Sequence, residues 1–281
     1  MDEVWGIRQD LERWLAEDIG RGDRSTEAIA SLASGRLKMQ WVAKAPGVVA
    51  GLPFAGEVFR LLDSDSEWIC ELEEGDRCIP GQVIAQGAGS ASALLTGERT
   101  ALNLVMGLSG IATIARQYAD AIADLPVQLV DTRKTTPGLR NLEKYASRVG
   151  GARNHRMGLD DAVMLKDNHI AAAGGIVRAV AAARERVPFT LSIEVETESL
   201  AQVKEALGAG ADIIMLDNMS LDEMREAVTL IRRDGPRVKV EASGNITLET
   251  IRGVAETGVD FISTSAPITR SPWLDISMRI L

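Results

Sequence analysis

Residues 191–217 read LSIEVETESLAQVKEALGAGADIIMLD. A short apolar run at 191–196 leads into a helical segment at 199–208. The turn Gly-Ala-Gly-Ala-Asp follows at 208–212, and a second apolar run occupies 212–217. Short strands rich in Val, Ile and Leu are what a parallel sheet covered by helices requires. The same rhythm extends in both directions. Further strands are expected at 127–131, 162–166, 237–242 and 259–263, and helices near 139–149, 172–186, 220–233 and 247–257. Thr-Gly-Val-Asp at 257–260 repeats the helix-to-strand turn.

The choice lies between a (β/α) barrel and an open doubly wound sheet. No GxGxxG follows a strand, which removes the main support for a dinucleotide-binding open sheet. The strand ends favour the barrel. They carry Asp131-Thr132-Arg133-Lys134, Lys166-Asp167-Asn168-His169, Glu196, Asp217-Asn218, Ser243-Gly244-Asn245 and Ser263-Thr264-Ser265. Barrel sites are built from residues at those carboxyl ends. Six units are visible, so an incomplete (β/α) TIM-like barrel is expected over 110–272.

Before residue 110 the pattern is mixed. An amphipathic start places Trp5, Arg8, Leu11, Trp14 and Leu15 at helical spacing. Strands are expected at Leu37–Ala43 and Glu67–Leu72 around a helix from Pro53 to Leu62. A turn at Pro80-Gly81 and a short strand at Val83–Ala85 follow, then a long helix from Ala91. This reads as an N-terminal α+β domain over 1–109, with the tail 273–281 packing on it. The whole chain is therefore α/β in class.

The 281 residues carry a net charge of −9, with 46% apolar and 25% charged residues. That is ordinary soluble composition, and its acidic balance argues against general nucleic-acid binding. No apolar run approaches the roughly 20 residues of a membrane span. The start Met1-Asp2-Glu3-Val4 is acidic where a secretory signal is basic, so a cytoplasmic location is expected. Cys70 and Cys78, without CxxC spacing, read as reduced structural thiols.

Against that background residues 131–170 stand out. They hold eight of the 31 Lys and Arg residues, five carboxylates and both histidines, a local charge of about +3 (eight minus five). Arg133 and Lys134 close one strand and Lys166 closes another. Cations at the ends of buried strands are costly without an anion, so a small multiply anionic ligand is implied. Arg133, Lys134, His155, Arg156 and Lys166 are its candidate partners. Arg140, Lys144 and Arg148, at i, i+4 and i+8, read as the solvated face of a helix.

Glu194 and Glu196 share one side of their strand, and Glu196 and Asp217 end consecutive strands. Carboxylates beside such cations fit Mg²⁺ held partly through substrate phosphates, or simple charge balance for Lys166 and Arg133. Ser243-Gly244-Asn245 opens a helix after a strand, where free N–H groups suit a phosphate; the Ser263–Ser265 turn lies next to it. His155, between Arg153 and Arg156, is expected to have a lowered pKa and a largely neutral ring. His169 is expected to cap the following helix.

DTRKTTPGLR, GGARNHRMGL and LKDNHI, in this order and spacing, resemble the quinolinate phosphoribosyltransferases. Glu17–Asp23, Gly97–Asn103, Leu108–Thr113 and Ile214–Asn218 are similar to further signatures of that family, so the likeness covers nearly the whole chain. It implies transfer of phosphoribosyl from phosphoribosyl pyrophosphate to quinolinate with decarboxylation. The products are nicotinate mononucleotide, pyrophosphate and CO₂, Mg²⁺ is the cofactor, and the step belongs to de novo NAD biosynthesis. The resemblance assigns Arg133, His155, Arg156 and Lys166 to quinolinate, Lys134 to pyrophosphate, and Thr132 to the substrate site. It assigns Glu196 and Asp217 to ribose and Mg²⁺. Ser243, Gly244, Asn245, Thr264 and Ser265 would take the 5′-phosphate. Lys134, Lys166, Glu196 and Asp217 would form the catalytic group. Arg99 would reach the neighbouring site of a homodimer.

Three positions depart from the family pattern. Ala152 and Ser265 stand where glycine is usual, and the run Ser265–Ser271 is one residue longer, with Arg270 a substitute for a family basic residue. Other classes stay open on the residues alone. They are a paralogue group linked to molybdenum utilisation, a barrel aldolase with Lys166 as Schiff base, and a non-catalytic anion-binding module.

Overall fold

A computed structural model describes residues 6–31 and 35–281. Met1–Val4 and Trp5, used above for location and for the first helix, lie outside the described residues. The described residues divide into two compact units: those up to 116, with 141–151 and 270–281, in one, and 117–140 with 152–269 in the other.

The first unit begins with α1 (Ile7–Ile19) and α2 (Arg24–Ile29), then β1 (Arg36–Ala43), β2 (Gly47–Val48) and α3 (Leu52–Leu62). β3 (Glu67–Cys70), β4 (Arg77–Cys78), β5 (Val83–Ser90) and the long helix α4 (Ala91–Asp120) follow. α4 runs from this unit into the second. Among the described residues β1, β3 and β5 form an antiparallel sheet completed by a strand from the chain's end, β12 (Ile276–Ile280), in the order β12-β1-β5-β3. Trp41, Phe59 and Trp68 meet edge-on and tilted in its core, with centroids 5.1–6.3 Å apart. Such aromatic pairs add to the area they bury.

Two of the signature segments are explained here as architecture. Asp23 caps α2 by accepting from the Thr26 N–H at 3.0 Å, and also accepts from the Thr96 hydroxyl at 3.0 Å. Ser109, fully buried, accepts from the Ala50 N–H at 2.9 Å, and Thr113 accepts from the Val48 N–H at 2.8 Å. A side chain at Gly110 would strike the Pro272 carbonyl oxygen.

The second unit contains β6 (Gln128–Val130), β7 (Val163–Leu165), α6 (Asp167–Ala173), α7 (Ile176–Arg186), β8 (Ile193–Thr197) and α8 (Leu200–Gly208). β9 (Ile213–Asp217), α9 (Leu221–Asp234), β10 (Lys239–Ser243), α10 (Ile251–Ala255), β11 (Phe261–Ser263) and α11 (Ala266–Thr269) complete it. Between β6 and β7 comes α5 (Arg140–Val149), most of which groups with the first unit although the sequence cut at 109/110 put it with the barrel. The six strands are parallel, in the order β6-β11-β10-β9-β8-β7, and Arg153 adds a parallel bridge to Val130. The order is that of a (β/α) barrel wall in which β6 and β7 are not laddered to each other among the described residues.

Two expectations need correction. The helix expected at 172–186 is two helices, because Gly174 (φ +77°) and Gly175 (φ +127°) take left-handed backbone that stops α6 and restarts the chain as α7. The expected solvated face of Arg140, Lys144 and Arg148 does not exist as such. Leu142 through Ser147 are all buried and Lys144 is 0% exposed, so the middle of α5 is enclosed on every side.

The two helix-to-strand turns end in the same device. Asp212 accepts from the Ile193 N–H of β8 at 2.7 Å and pairs with Arg184 of α7 at 2.6 Å. Asp260 accepts from the Val240 N–H of β10 at 2.8 Å and pairs with Arg232 of α9 at 2.9 Å. Each acid thus ties a strand start to the neighbouring strand and to a covering helix. Burial alone would raise the Asp260 carboxyl, but the Val240 and Arg232 hydrogen bonds outweigh it and hold it below the usual carboxylate range. A group with a depressed folded-state pKa adds stability above its unfolded pKa and loses it as pH falls through the folded one. Asp260→Asn is therefore expected to cost about 1–3 kcal/mol at pH 7, the range of charge-assisted hydrogen bonds. Urea unfolding should show that deficit shrinking toward zero as the pH is lowered through the depressed value.

Candidate active site

A cleft of about 730 Å³ opens at the carboxyl ends of the barrel strands. Thr132, Arg133 and Lys134 reach it from the end of β6, and His155 and Arg156 from the loop before β7. Lys166 enters from the end of β7, Glu196 from β8 and Asp217 from β9. Ser243, Gly244 and Asn245 close it after β10. Thr264 and Ser265 do not line it, whereas Ser263 does. Thr264 is buried, and its hydroxyl instead donates to the Ile246 carbonyl and accepts from the Ala266 N–H. Arg99 is exposed on α4, and Arg270 is exposed within the first unit. A second hollow of about 450 Å³, in the first unit, is lined by no Lys or Arg among the described residues.

Register explains the polar rows. Glu196, Met215 and Glu241 are partners across β8, β9 and β10, and Asp217 partners Ser243 one step further along. Partnered residues of a parallel sheet share a face, so the acids of β8, β9 and β10 project together. Glu241 was missed from sequence, although the two-residue period that joins Glu194 to Glu196 equally joins Glu241 to Ser243.

The loop holding His155 is built by Asp131. Its carboxylate, 2% exposed, accepts from the Asn154 amide at 2.7 Å and the His155 N–H at 2.8 Å. The Arg156 guanidinium donates to the Ala162 carbonyl at 2.9 Å. Burial, then the nearby Arg133 charge, lowers the proton affinity of Arg156. Lys166, its side chain 45% exposed, pairs with Glu196 at 3.1 Å. His169 caps α6 by accepting the Lys166 N–H on Nδ1 at 3.1 Å.

The expectation for His155 is reversed. Burial opposes its charge, but Glu194 and Glu241 lie 3.2 and 3.4 Å from Nε2 and push the ring's proton affinity up to about 10. Burial and the Glu241 charge raise Glu194 as well, despite His155 and Arg156. The sequence neighbours Arg153 and Arg156 do not govern this ring; carboxylates from two other strands do.

Asn218 fastens the phosphate-type turn. Its own φ is +54° and that of Asn245 is +51°, the left-handed conformation that Asn tolerates. Its N–H donates to the Ser243 carbonyl at 3.0 Å, its amide nitrogen to Asp217 at 2.6 Å, and its amide oxygen accepts from Asn245 at 3.1 Å. Gly244 has φ +94°, and a side chain there would collide with the Asn218 amide. Ser265 is not in the left-handed region, so serine carries no backbone strain there.

Cys78 is buried and Cys70 exposed, partial desolvation pushes both thiols up, and no disulfide joins them. Among the described residues no helix is long and apolar enough to cross a membrane.

The family models for the N-terminal and C-terminal domains of quinolinate phosphoribosyl transferase match residues 23–109 and 111–279. A Synechocystis protein named as a probable carboxylating nicotinate-nucleotide pyrophosphorylase is 59% identical over 96% of this chain and 91% of its own. The human carboxylating nicotinate-nucleotide pyrophosphorylase is 40% identical over 96% of this chain and 90% of its own. The crystal structure of NadC from Streptococcus pyogenes superposes with a TM-score of 0.93 at 44% identity, covering 98% of this chain and 96% of that one. With a two-unit fold, a cationic cleft at the strand ends and both domain models matched, the chain belongs to the quinolinate phosphoribosyltransferase family.

Proposed function

We propose that this chain transfers the phosphoribosyl group of phosphoribosyl pyrophosphate to quinolinate with loss of CO₂. The product is nicotinate mononucleotide for de novo NAD synthesis. The observation that carries the reading is one cleft holding Arg133, Arg156 and Lys166 beside Glu196, Asp217 and the Ser243–Asn245 turn. Quinolinate brings two carboxylates, and the sugar donor brings a phosphate and a pyrophosphate. Arg133 and Arg156 take the quinolinate carboxylates, with Lys166 and Thr132 beside them. Lys134, exposed at the mouth, meets the pyrophosphate. The N–H groups of the turn after β10 take the 5′-phosphate. Thr264 and Ser265 contribute by holding the turn after β11 rather than by lining the cleft.

Chemistry follows from charge. The bond from the sugar carbon C1 to pyrophosphate breaks as the ring nitrogen of quinolinate bonds to C1. Lys134 and the neighbouring cations stabilise the charge on the departing group. The nitrogen becomes a cationic pyridinium. The adjacent carbon–carboxylate bond then breaks, CO₂ leaves, and the ring carbon keeps the electron pair and takes a proton. Glu196 and Asp217, oxygen donors on neighbouring strands and both on the cleft wall, suit Mg²⁺ shared with phosphate oxygens. Bound there, the ion would neutralise phosphate charge. The Lys166 amine is held against the Glu196 carboxylate at 3.1 Å, an arrangement that suits ion pairing rather than a Schiff base.

Arg99 is assigned to the neighbouring copy's cleft in a homodimer, and the protein to the cytoplasm. The resemblance supports the first assignment, composition the second.

The direct test is incubation with quinolinate, phosphoribosyl pyrophosphate and Mg²⁺. Nicotinate mononucleotide and CO₂ are expected in equal amounts; a folded protein that forms neither refutes the reading. Arg133→Ala should raise the KM for quinolinate at least tenfold, as loss of a charge-assisted pair implies. Gly244→Ala should instead raise the KM for phosphoribosyl pyrophosphate, through its collision with Asn218. Mixing Arg99→Ala with Arg133→Ala, assayed at a quinolinate concentration low enough that each alone is nearly silent, should restore about a quarter of wild-type activity. Half the exchanged dimers are mixed, and each has one intact site. No recovery after demonstrated subunit exchange would return Arg99 to its own subunit.

A further inference from the structure

His155 lines the cleft, yet neither ring nitrogen is available to an anion. Nε2 faces the Glu194 and Glu241 carboxylates at 3.2 and 3.4 Å, and Nδ1 accepts the Arg156 backbone N–H at 2.7 Å. With Nδ1 against the Arg156 peptide, Nε2 holds its proton between the two acids. The ring is a strut. One end rests on two carboxylates inside the barrel, the other on the peptide that carries Arg156.

We propose that Glu194 and Glu241 are positioning residues for the quinolinate carboxylate, acting through His155 to hold Arg156 at the cleft. The inference rests on the activity proposed above. Three observations support it. Both acids are buried, 2% and 3% exposed, and come from separate strands, β8 and β10. In each, Oε1 has no hydrogen bond among the described residues, a burial cost that packing alone does not explain. Arg156 also lies within the field of Arg133, and Glu194 supplies opposing attraction. Two guanidinium groups that must face one anion repel each other until it binds. A fixed carboxylate behind them, with the backbone pinned by Asp131 and His155, keeps the clamp formed beforehand.

The test compares Glu194→Gln, Glu241→Gln and the double variant with the unmodified chain. Glutamine keeps shape and an acceptor but removes the charge. Each single variant should raise the KM for quinolinate about tenfold, equal to about 1.4 kcal/mol. Their kcat and their KM for phosphoribosyl pyrophosphate should change less than threefold. Alanine at either site should do worse than glutamine. The chain has two histidines, so ¹⁵N spectra of its imidazoles can be assigned with a His169→Asn reference. His155 should keep its Nε2 proton and lose its charge at a higher pH in the unmodified protein than in the double variant.

Unchanged quinolinate KM in folded variants overturns the proposal, as does an equal loss for both substrates. The three donor atoms lie within 4.8 Å of one another, so a cation is the rival occupant. Stoichiometric metal by elemental analysis, lost in Glu241→Gln, would also overturn it. If Glu194→Gln does not fold, Glu241→Gln alone decides, since it leaves one carboxylate on Nε2. Turnover by the unmodified chain is measured first. Its absence removes the activity and this inference together, whereas turnover with unaltered variants removes the inference alone.

Discussion

Gathering cations at one end of a barrel is possible only if carboxylates are buried beneath them. Two guanidinium groups and a lysine around an empty cleft would repel one another, and their desolvation would not be recovered. The interior rows of β8, β9 and β10 answer this with Glu194, Glu196, Asp217 and Glu241. Lys166 is matched to Glu196 directly, and Arg156 to Glu194 across His155. Glu194, buried and off the cleft wall, steadies Arg156 without taking up the cleft's capacity for anions, while Glu196 and Asp217 share the wall with the cations.

The two ends of the same strands are used differently. At the amino ends Asp212 and Asp260 knit strand starts to helices through short charge-assisted bonds. Those contacts satisfy backbone N–H groups and add stability. At the carboxyl ends the polar groups turn toward ligand, and Arg133 Nε and the Oε1 atoms of Glu194 and Glu241 have no hydrogen-bond partner among the described residues. Stability and binding are thus separated along one strand length.

How much of this was legible follows from the range of each signal. The strand and helix rhythm is local, so β8, α8 and β9 emerged within two residues of their observed bounds. Their polar tips then marked the cleft, because parallel strands of similar length bring all their ends together. What failed depended on partners distant in sequence. His155 was judged by Arg153 and Arg156, its chain neighbours, whereas Glu194 and Glu241 are 39 and 86 positions away. Lys144 was judged by helical spacing, which describes one face; the middle of α5 is enclosed all round, and no pattern within ten residues reveals that. Glu241 was a different kind of omission. A charged residue inside the run Val240-Glu241-Ala242 contradicts a purely apolar strand, and that contradiction was itself the signal.

The glycine at 244 and the serine at 265 show why a motif departure has to be weighed by backbone conformation. Gly244 sits at positive φ against the Asn218 amide, so both its torsion and its surroundings forbid a side chain. Ser265 has neither constraint. It begins a turn in which its carbonyl accepts from Ile268 and Thr269, and its φ lies outside the left-handed region. A family glycine at that place can be lost without strain, provided the ligand does not approach the backbone there. The cleft wall reaches Ser263 and not Ser265. Phosphate recognition in this chain therefore centres on the turn after β10, whose shape Asn218 fixes while also holding Asp217. Through that one side chain, the carboxylate that suits the metal and the turn that suits the phosphate are set in register.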